Sequence, residues 1–150
     1  MATDTDGQVP AKQHLVNSGY TQIKQINHPV DFTAVKDGKL YYIELKYTTT
    51  PKKAFGNTPM TEWICAMENP DNFLFLIVSK PGGKEAHSDW NFFFVTPEEM
   101  LEYSYISPFK INFHFPLTNS RNPPNRKSTT IVPTFDTLDK IAKFYSNLKN

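Results

Sequence analysis

Val30-Asp31-Phe32-Thr33-Ala34-Val35-Lys36-Asp37-Gly38-Lys39-Leu40-Tyr41-Tyr42-Ile43-Glu44-Leu45-Lys46-Tyr47 is the stretch that decides the fold. Two β-rich runs, Val30–Val35 and Leu40–Tyr47, flank the tetrapeptide Lys36–Lys39. Asp-Gly is the favoured centre of a two-residue type I′ turn, because both central positions take positive φ. An antiparallel hairpin follows, and its turn sets the register. Lys36 faces Lys39, Thr33 faces Tyr42, Phe32 faces Ile43 and Asp31 faces Glu44.

That register sets two carboxylates across a strand pair, with Cβ atoms about 4.5–5.5 Å apart. Like charges directly opposite destabilise a sheet, so a sequence shaped by stability alone would avoid them. A divalent cation removes the conflict, and hard oxygen donors suit Mg²⁺ or Mn²⁺. Lys46 lies two residues past Glu44, on the same face and about 6.6 Å along the strand. Tyr41, Ile43, Leu45 and Tyr47 form an apolar stripe on the other face. The Leu45 backbone carbonyl is a further candidate metal ligand. Two carboxylates, a lysine and a carbonyl suit metal-assisted phosphodiester hydrolysis: the metal lowers the pKa of a water, and the lysine orients it or stabilises charge on phosphate. The plainer alternative is a solvent-exposed strand face with a salt bridge from Lys46 to either acid.

Other elements read outward from the hairpin. Residues 1–9 form a frayed lead-in, and Pro10–Ser18 a short helix capped by Gly19. Tyr20–Ile26 is a candidate strand. Thr58 is a candidate N-cap with Pro59 at the first helical position, and Met60, Trp63, Ile64 and Met67 form the buried stripe of that helix. Phe73–Val78 is apolar on both faces and reads as a central strand. Trp90–Val95 is another strand, and Thr96-Pro97-Glu98-Glu99 opens a short helix with a capping box. Phe109, Ile111, Phe113 and Phe115 alternate with polar residues as a one-sided strand. Residues 118–133 form a long basic loop rich in Asn and Pro, and Leu138, Ile141, Ala142, Tyr145 and Leu148 mark a last helix. The order α-β-β-β-α-β-β-α-β-α implies a single α/β domain over residues 1–150, a three-layer αβα sandwich around a mixed sheet.

Asp31 followed by Glu44-Leu45-Lys46 resembles the signature of the PD-(D/E)xK nuclease superfamily: an acid on one strand, then (D/E)-x-K on the next. The resemblance covers the helix-strand-hairpin-helix-strand order between residues 8 and 79, about half of the chain. It implies a restriction-endonuclease-like fold, Mg²⁺ or Mn²⁺ as cofactor, and DNA as partner. Asp31 and Glu44 would hold the metal, and Lys46 would assist the water. It also implies an endonuclease that forms a homodimer, and it brings the Tyr47–Thr50 run near the nucleic-acid backbone, with Thr48 in it. Many members carry a glutamate on the first helix. Here that helix offers Gln8 and Gln13, so Gln13 is taken as a candidate accessory residue, with Glu62 as another. Pro29 precedes Val30, where the family usually has proline directly before the acid.

Lys52, Lys53, Arg121, Arg126 and Lys127 are candidate phosphate contacts, with solvated loops as the alternative. Glu62 is also explained as a favourable charge at a helix N-terminus. Trp63 and Cys65 read as packing, and the four histidines show no metal spacing. Residues 1–103 hold 9 basic and 13 acidic side chains and residues 104–150 hold 7 and 2, so a polyanion-binding face would draw on the C-terminal third. With one cysteine, neither an internal disulfide nor a multi-Cys zinc site is available. The absence of a secretory signal and of any apolar run near the roughly 20 residues of a membrane span implies a cytoplasmic protein without membrane contact. No glycine-rich phosphate loop is present, which argues against a nucleotide cofactor. Two rivals to the nuclease share the fold class: a catalytically inactive nucleic-acid-binding or assembly module, and a structural protein using Phe109–Phe115 as a subunit interface.

Overall fold

A computed structural model describes residues 4–49, 53–107, 110–118 and 132–149. Lys52, Phe109, Arg121, Arg126, Lys127 and most of the 118–133 loop lie outside the described residues. The protein is a mixed α/β fold with a five-stranded central sheet and helices on both faces.

The hairpin forms as its turn demands. Strands β2 (Phe32–Lys36) and β3 (Lys39–Thr48) pair antiparallel with Phe32 opposite Ile43, Thr33 opposite Tyr42 and Lys36 opposite Lys39. Asp37 and Gly38 have φ of +52° and +76°, both in the left-handed region that a type I′ turn needs. Strand β1 (Thr21–Gln25) pairs with β2 on the outer edge, with a bulge between Thr21 and Lys24.

Strand β5 (Phe73–Ser79) pairs parallel with β3 and antiparallel with β6 (Asn91–Val95), giving the order β1-β2-β3-β5-β6. Six of the seven β5 residues are buried, as a strand covered on both faces requires. Period-2 alternation sorts its side chains: Leu76 and Val78 join one core, and Phe73, Phe75 and Ile77 the other.

Helix α1 (Asp4–Asn17) covers the first face with Gly7, Ala11 and Leu15 at four-residue spacing, beside Ile43 and Leu45. It starts six residues earlier than the sequence implies, so the expected lead-in is largely helical and Pro10 lies inside the helix. Two acids, Asp4 and Asp6, therefore belong to this helix. A Cβ on Gly7 would stand 3.2 Å from the Tyr47 side chain, so the small residue lets α1 approach β3 closely. Gly19, at φ +91°, ends the helix, and the Tyr20 N–H donates to the Leu15 carbonyl at 3.0 Å.

On the other face lie α2 (Met60–Glu68), α3 (Pro97–Glu102), α4 (Phe135–Lys149) and a second sheet. That sheet has the order β4-β8-β7, from β4 (Lys53–Thr58), β8 (Lys110–Pro116) and β7 (Ser104–Ser107). Strands β4 and β7 are additions to the expected order. Lys53–Thr58 carries few β-branched or long apolar residues, and only pairing with β8 makes it a strand. Ile111, Phe113 and Phe115 of β8 alternate inward as expected.

Two local expectations around α2 change. Pro59, not Thr58, is the N-cap, and Thr58 ends β4 with its hydroxyl buried and unbonded. The buried face is Met60, Trp63, Cys65 and Ala66, with Ile64 and Met67 only half-buried. Cys65 is thus a core residue, rotated inward because α2 is covered both by the sheet and by α4. The capping box of α3 forms as expected: the Glu99 N–H donates to Thr96 Oγ1, and Glu99 Oε1 accepts from the Thr96 N–H. Among the described residues no helix is long and apolar enough to cross a membrane.

Close packing between β4 and β8 in the second sheet yields a sharp contrast between glycines. A Cβ at Gly56 would lie 2.7 and 2.9 Å from ring atoms of the buried Phe113, whereas Gly82 has open space around it. Gly56→Ala should lower stability by about 1–3 kcal/mol through overpacking, and Gly82→Ala should change it by less than about 0.5 kcal/mol. Urea unfolding of the two variants checks this; equal midpoints would mean that β4 does not press on β8 as described.

Candidate active site at the hairpin base

The site begins with the backbone at the mouth of the hairpin. The chain leaves β1, turns through Asn27 (φ +64°) and the cis His28–Pro29 bond, and drops Val30 into the core. The Asp31 carbonyl then accepts the Ile26 N–H at 2.9 Å, which closes this turn. Asp31 thus sits one residue before β2, directly beyond the Phe32–Ile43 pair.

The two carboxylates lash the strand ends together. Asp31 Oδ2 accepts the Leu45 N–H at 2.8 Å, and Glu44 Oε2 accepts the Asp31 N–H at 3.2 Å. Both bonds continue the ladder past the last paired residues, with side chains in place of backbone carbonyls. The N–H and C=O of one strand residue point to the same edge, so the Leu45 carbonyl faces the side on which Asp31 lies. The Leu45 side chain is fully buried in the core under α1, as expected.

Glu44 and Lys46 share the opposite face, as the hairpin register requires. This face is not solvent-exposed: the Glu44 and Lys46 side chains retain 8% and 10% of their accessibility. The expected salt bridge exists, but it is buried. Lys46 Nζ stands 3.5 Å from Glu44 Oε1 and donates to Glu62 Oε1 at 2.8 Å. Glu62, on the first turn of α2, is 12% exposed and completes the group. Three carboxylates and one ammonium therefore meet where β3 and α2 face each other.

Such a group cannot be fully ionised at low cost, because one cation does not balance three carboxylates, of which Glu44 is buried and Asp31 and Glu62 are half-buried. Burial pushes the Glu44 carboxyl up to about 10, Lys46 pulls it back in part, and the Glu62 and Asp31 carboxylates raise it further. Cys65 is raised too, by burial first and then by Glu68.

Among the described residues no group of three or more His, Cys, Asp or Glu side chains is placed to hold a metal ion. The donor chemistry of Asp31, Glu44 and the Leu45 carbonyl nevertheless fits Mg²⁺ or Mn²⁺: hard oxygens from one edge, with water for the remaining positions. A cation here would replace the proton on Glu44 as the countercharge.

The other expected residues fall as follows. Thr48 shares the Glu44–Lys46 face but is buried, and its carbonyl accepts the Lys80 N–H at 2.9 Å. Gln13 is not at the site: α1 covers the opposite face of the sheet, and the Gln13 amide donates to Asn17 Oδ1 at 3.0 Å. Gln8 accepts from Gln25. The backbone of Lys53 lies in β4, while Lys52, Arg121, Arg126 and Lys127 lie outside the described residues. Beside the site, His28, Tyr42, Thr61, Cys65 and Glu68 help line a cleft of about 400 Å³. The cleft has no sequence signature, because its walls come from the β1–β2 turn, β3 and α2.

Stability should depend on pH through Glu44. Its folded pKa lies above the ordinary value of 4.5, so the folded protein holds a proton that the unfolded chain releases. The contribution is fully present below about pH 4.5 and is lost as pH rises toward about 10. Glu44→Gln keeps an acceptor for the Asp31 N–H and removes the titration, so the variant should gain stability relative to wild type as pH rises. Urea midpoints from pH 5 to 9 measure this; parallel curves would remove Glu44 as the titrating group.

No curated protein matches the chain. A family model described as Protein NO VEIN, C-terminal matches residues 11–94, from within α1 to within β6. The match spans the hairpin with Asp31, Glu44 and Lys46, as well as Glu62 on α2. Since this covers more than half of its residues, the chain belongs to the Protein NO VEIN C-terminal family.

Proposed function

We propose that the protein is a divalent-metal-dependent nuclease of the PD-(D/E)xK type that hydrolyses DNA phosphodiester bonds as an endonuclease. One observation carries this reading: Asp31 and Glu44 are bound to each other's strand ends at the hairpin base, with Lys46 and Glu62 beside Glu44. A fold held by stability alone gains little from gathering three carboxyl groups and a lysine at a largely buried position. A site that must hold a cation against a phosphate needs them.

Asp31, Glu44 and the Leu45 carbonyl would hold Mg²⁺ or Mn²⁺. When bound, the cation supplies Lewis-acid stabilisation of charge developing on a phosphate oxygen. Lys46 holds its ammonium on the same face, where it can orient the attacking water or neutralise that charge. Glu62 positions Lys46 by their 2.8 Å contact. Glu44 would have to release its proton to hold the cation, so affinity should rise with pH, by up to about tenfold per unit.

A second reading has its own support. Each carboxylate already spends an oxygen on a backbone N–H, and Glu44 and Lys46 are nearly covered. This favours an inactive module in which the carboxylates serve only to close the hairpin.

Asp31→Asn separates the two readings. The amide carbonyl of the substituted side chain can still accept the Leu45 N–H, so the fold persists while one ligand charge is lost. Under the nuclease reading, millimolar Mn²⁺ raises the melting midpoint of wild type but not of the variant. Mg²⁺-dependent cleavage of labelled duplex, single-stranded and branched DNA then falls by a factor on the order of 10² or more. Equal Mn²⁺ shifts in both proteins, or no cleavage of any DNA by wild type, would leave the inactive module in its place.

A further inference from the structure

On the face covered by α1, far from the carboxylates in the layer order, lies a cleft of about 380 Å³ between α1 and the segment around β6. Pro10, Gln13, His14, Asn17, His87, Ser88, Trp90 and Phe92 line it. Its walls are flat and aromatic. The His14 ring stacks on Phe92 with centroids 4.3 Å apart and 6° between planes, and His87 meets Trp90 edge-on at 4.7 Å. Burial lowers the His14 pKa, which favours a neutral imidazole as the stacking surface.

The Trp90 ring is fixed in place. The Trp90 indole N–H donates to the Lys84 carbonyl at 2.9 Å, and Lys80 Nζ lies 5.7 Å from the Trp90 ring centroid on a cation–π contact. At the rim, the exposed Gln13 and Asn17 side chains are joined by one hydrogen bond. Gln13 is the donor and Asn17 the acceptor, which leaves the Gln13 carbonyl and the Asn17 NH₂ to an outside partner. That pair offers one acceptor and one donor side by side, the complement of a base edge.

We propose that this cleft binds a nucleobase, stacked against the His14–Phe92 and His87–Trp90 surfaces with its edge on Gln13 and Asn17. Aromatic walls with a few convergent polar groups in a cavity of this size are the usual make-up of a small-ligand site. Stacking of a base on an aromatic platform tolerates any base because each has a π-face. The base could belong to a free nucleotide or to a single strand. The site uses none of Asp31, Glu44, Lys46 or Glu62, so it stands or falls independently of the nuclease reading.

Trp90 is the reporter: it lines the cleft and keeps 9% of its surface exposed, whereas the other tryptophan, Trp63, is fully buried. Titration of the full chain with the four nucleoside monophosphates, and with a ten-residue single-stranded DNA, should quench tryptophan emission. Quenching by the mononucleotides identifies a free nucleotide as sufficient; quenching by the oligonucleotide alone identifies a strand as the source. His87→Ala and the double variant Gln13→Ala, Asn17→Ala change exposed side chains, and each should weaken binding on the order of tenfold. Absence of quenching by every probe, or unchanged affinity in both sets of variants, would overturn the proposal.

Discussion

Everything in this molecule depends on the register of one hairpin. The side-chain period of a strand is two, so a slip by one residue would exchange the faces of β3. Leu45 and Ile43 would then leave the core under α1, and Glu44 and Lys46 would enter it. Asp37 and Gly38 prevent the slip because their positive φ values define where the chain reverses. The bonds from Leu45 to Asp31 and from Asp31 to Glu44 close the same hairpin at its other end.

Closing the hairpin with carboxylates has an electrostatic consequence. A backbone amide is a good partner for a carboxylate, and such bonds alone would hold it ionised. Burial under α2 works against this, and for Glu44 burial wins. Lys46 does not reverse the outcome, since it lies closer to Glu62 than to Glu44. Burial therefore favours the protonated form of Glu44, while the backbone hydrogen bonds hold the strand ends together.

The two faces of the central sheet are put to different uses. The face under α1 is packed with Ala11, Leu15, Ile43, Leu45 and Leu76, and its edge opens into the aromatic cleft at His14 and Trp90. The other face carries the charged group within an otherwise apolar layer of Trp63, Phe73, Phe75 and Ile77. The second sheet, β4-β8-β7, closes that layer. Its presence explains why Ile111, Phe113 and Phe115 are buried although β8 does not join the central sheet.

The sequence by itself determined what local physics controls. The Asp-Gly turn, the period-2 stripe of β3, the doubly apolar β5 and the capping box of α3 are each specified within a few neighbouring residues, and each forms as read. Asp31, Glu44 and Lys46 come together because turn and period alone dictate it. Tertiary structure decided the rest. Lys53–Thr58 has no strand pattern of its own and acquires one from β8, some fifty residues away. The first helix extends to Asp4 and sets Gly7 against Tyr47, a contact no periodicity announces. Burial of Glu44 and Lys46, with Glu62 as their neighbour, depends on where α2 packs; a strand pattern shows only that the two share a face. Gln13 and His14 gain their place beside His87 and Trp90 in the same way, since the cleft exists only between elements brought together by the sheet. Charge state and cavities belong to the packed molecule, because both depend on which distant surfaces exclude water.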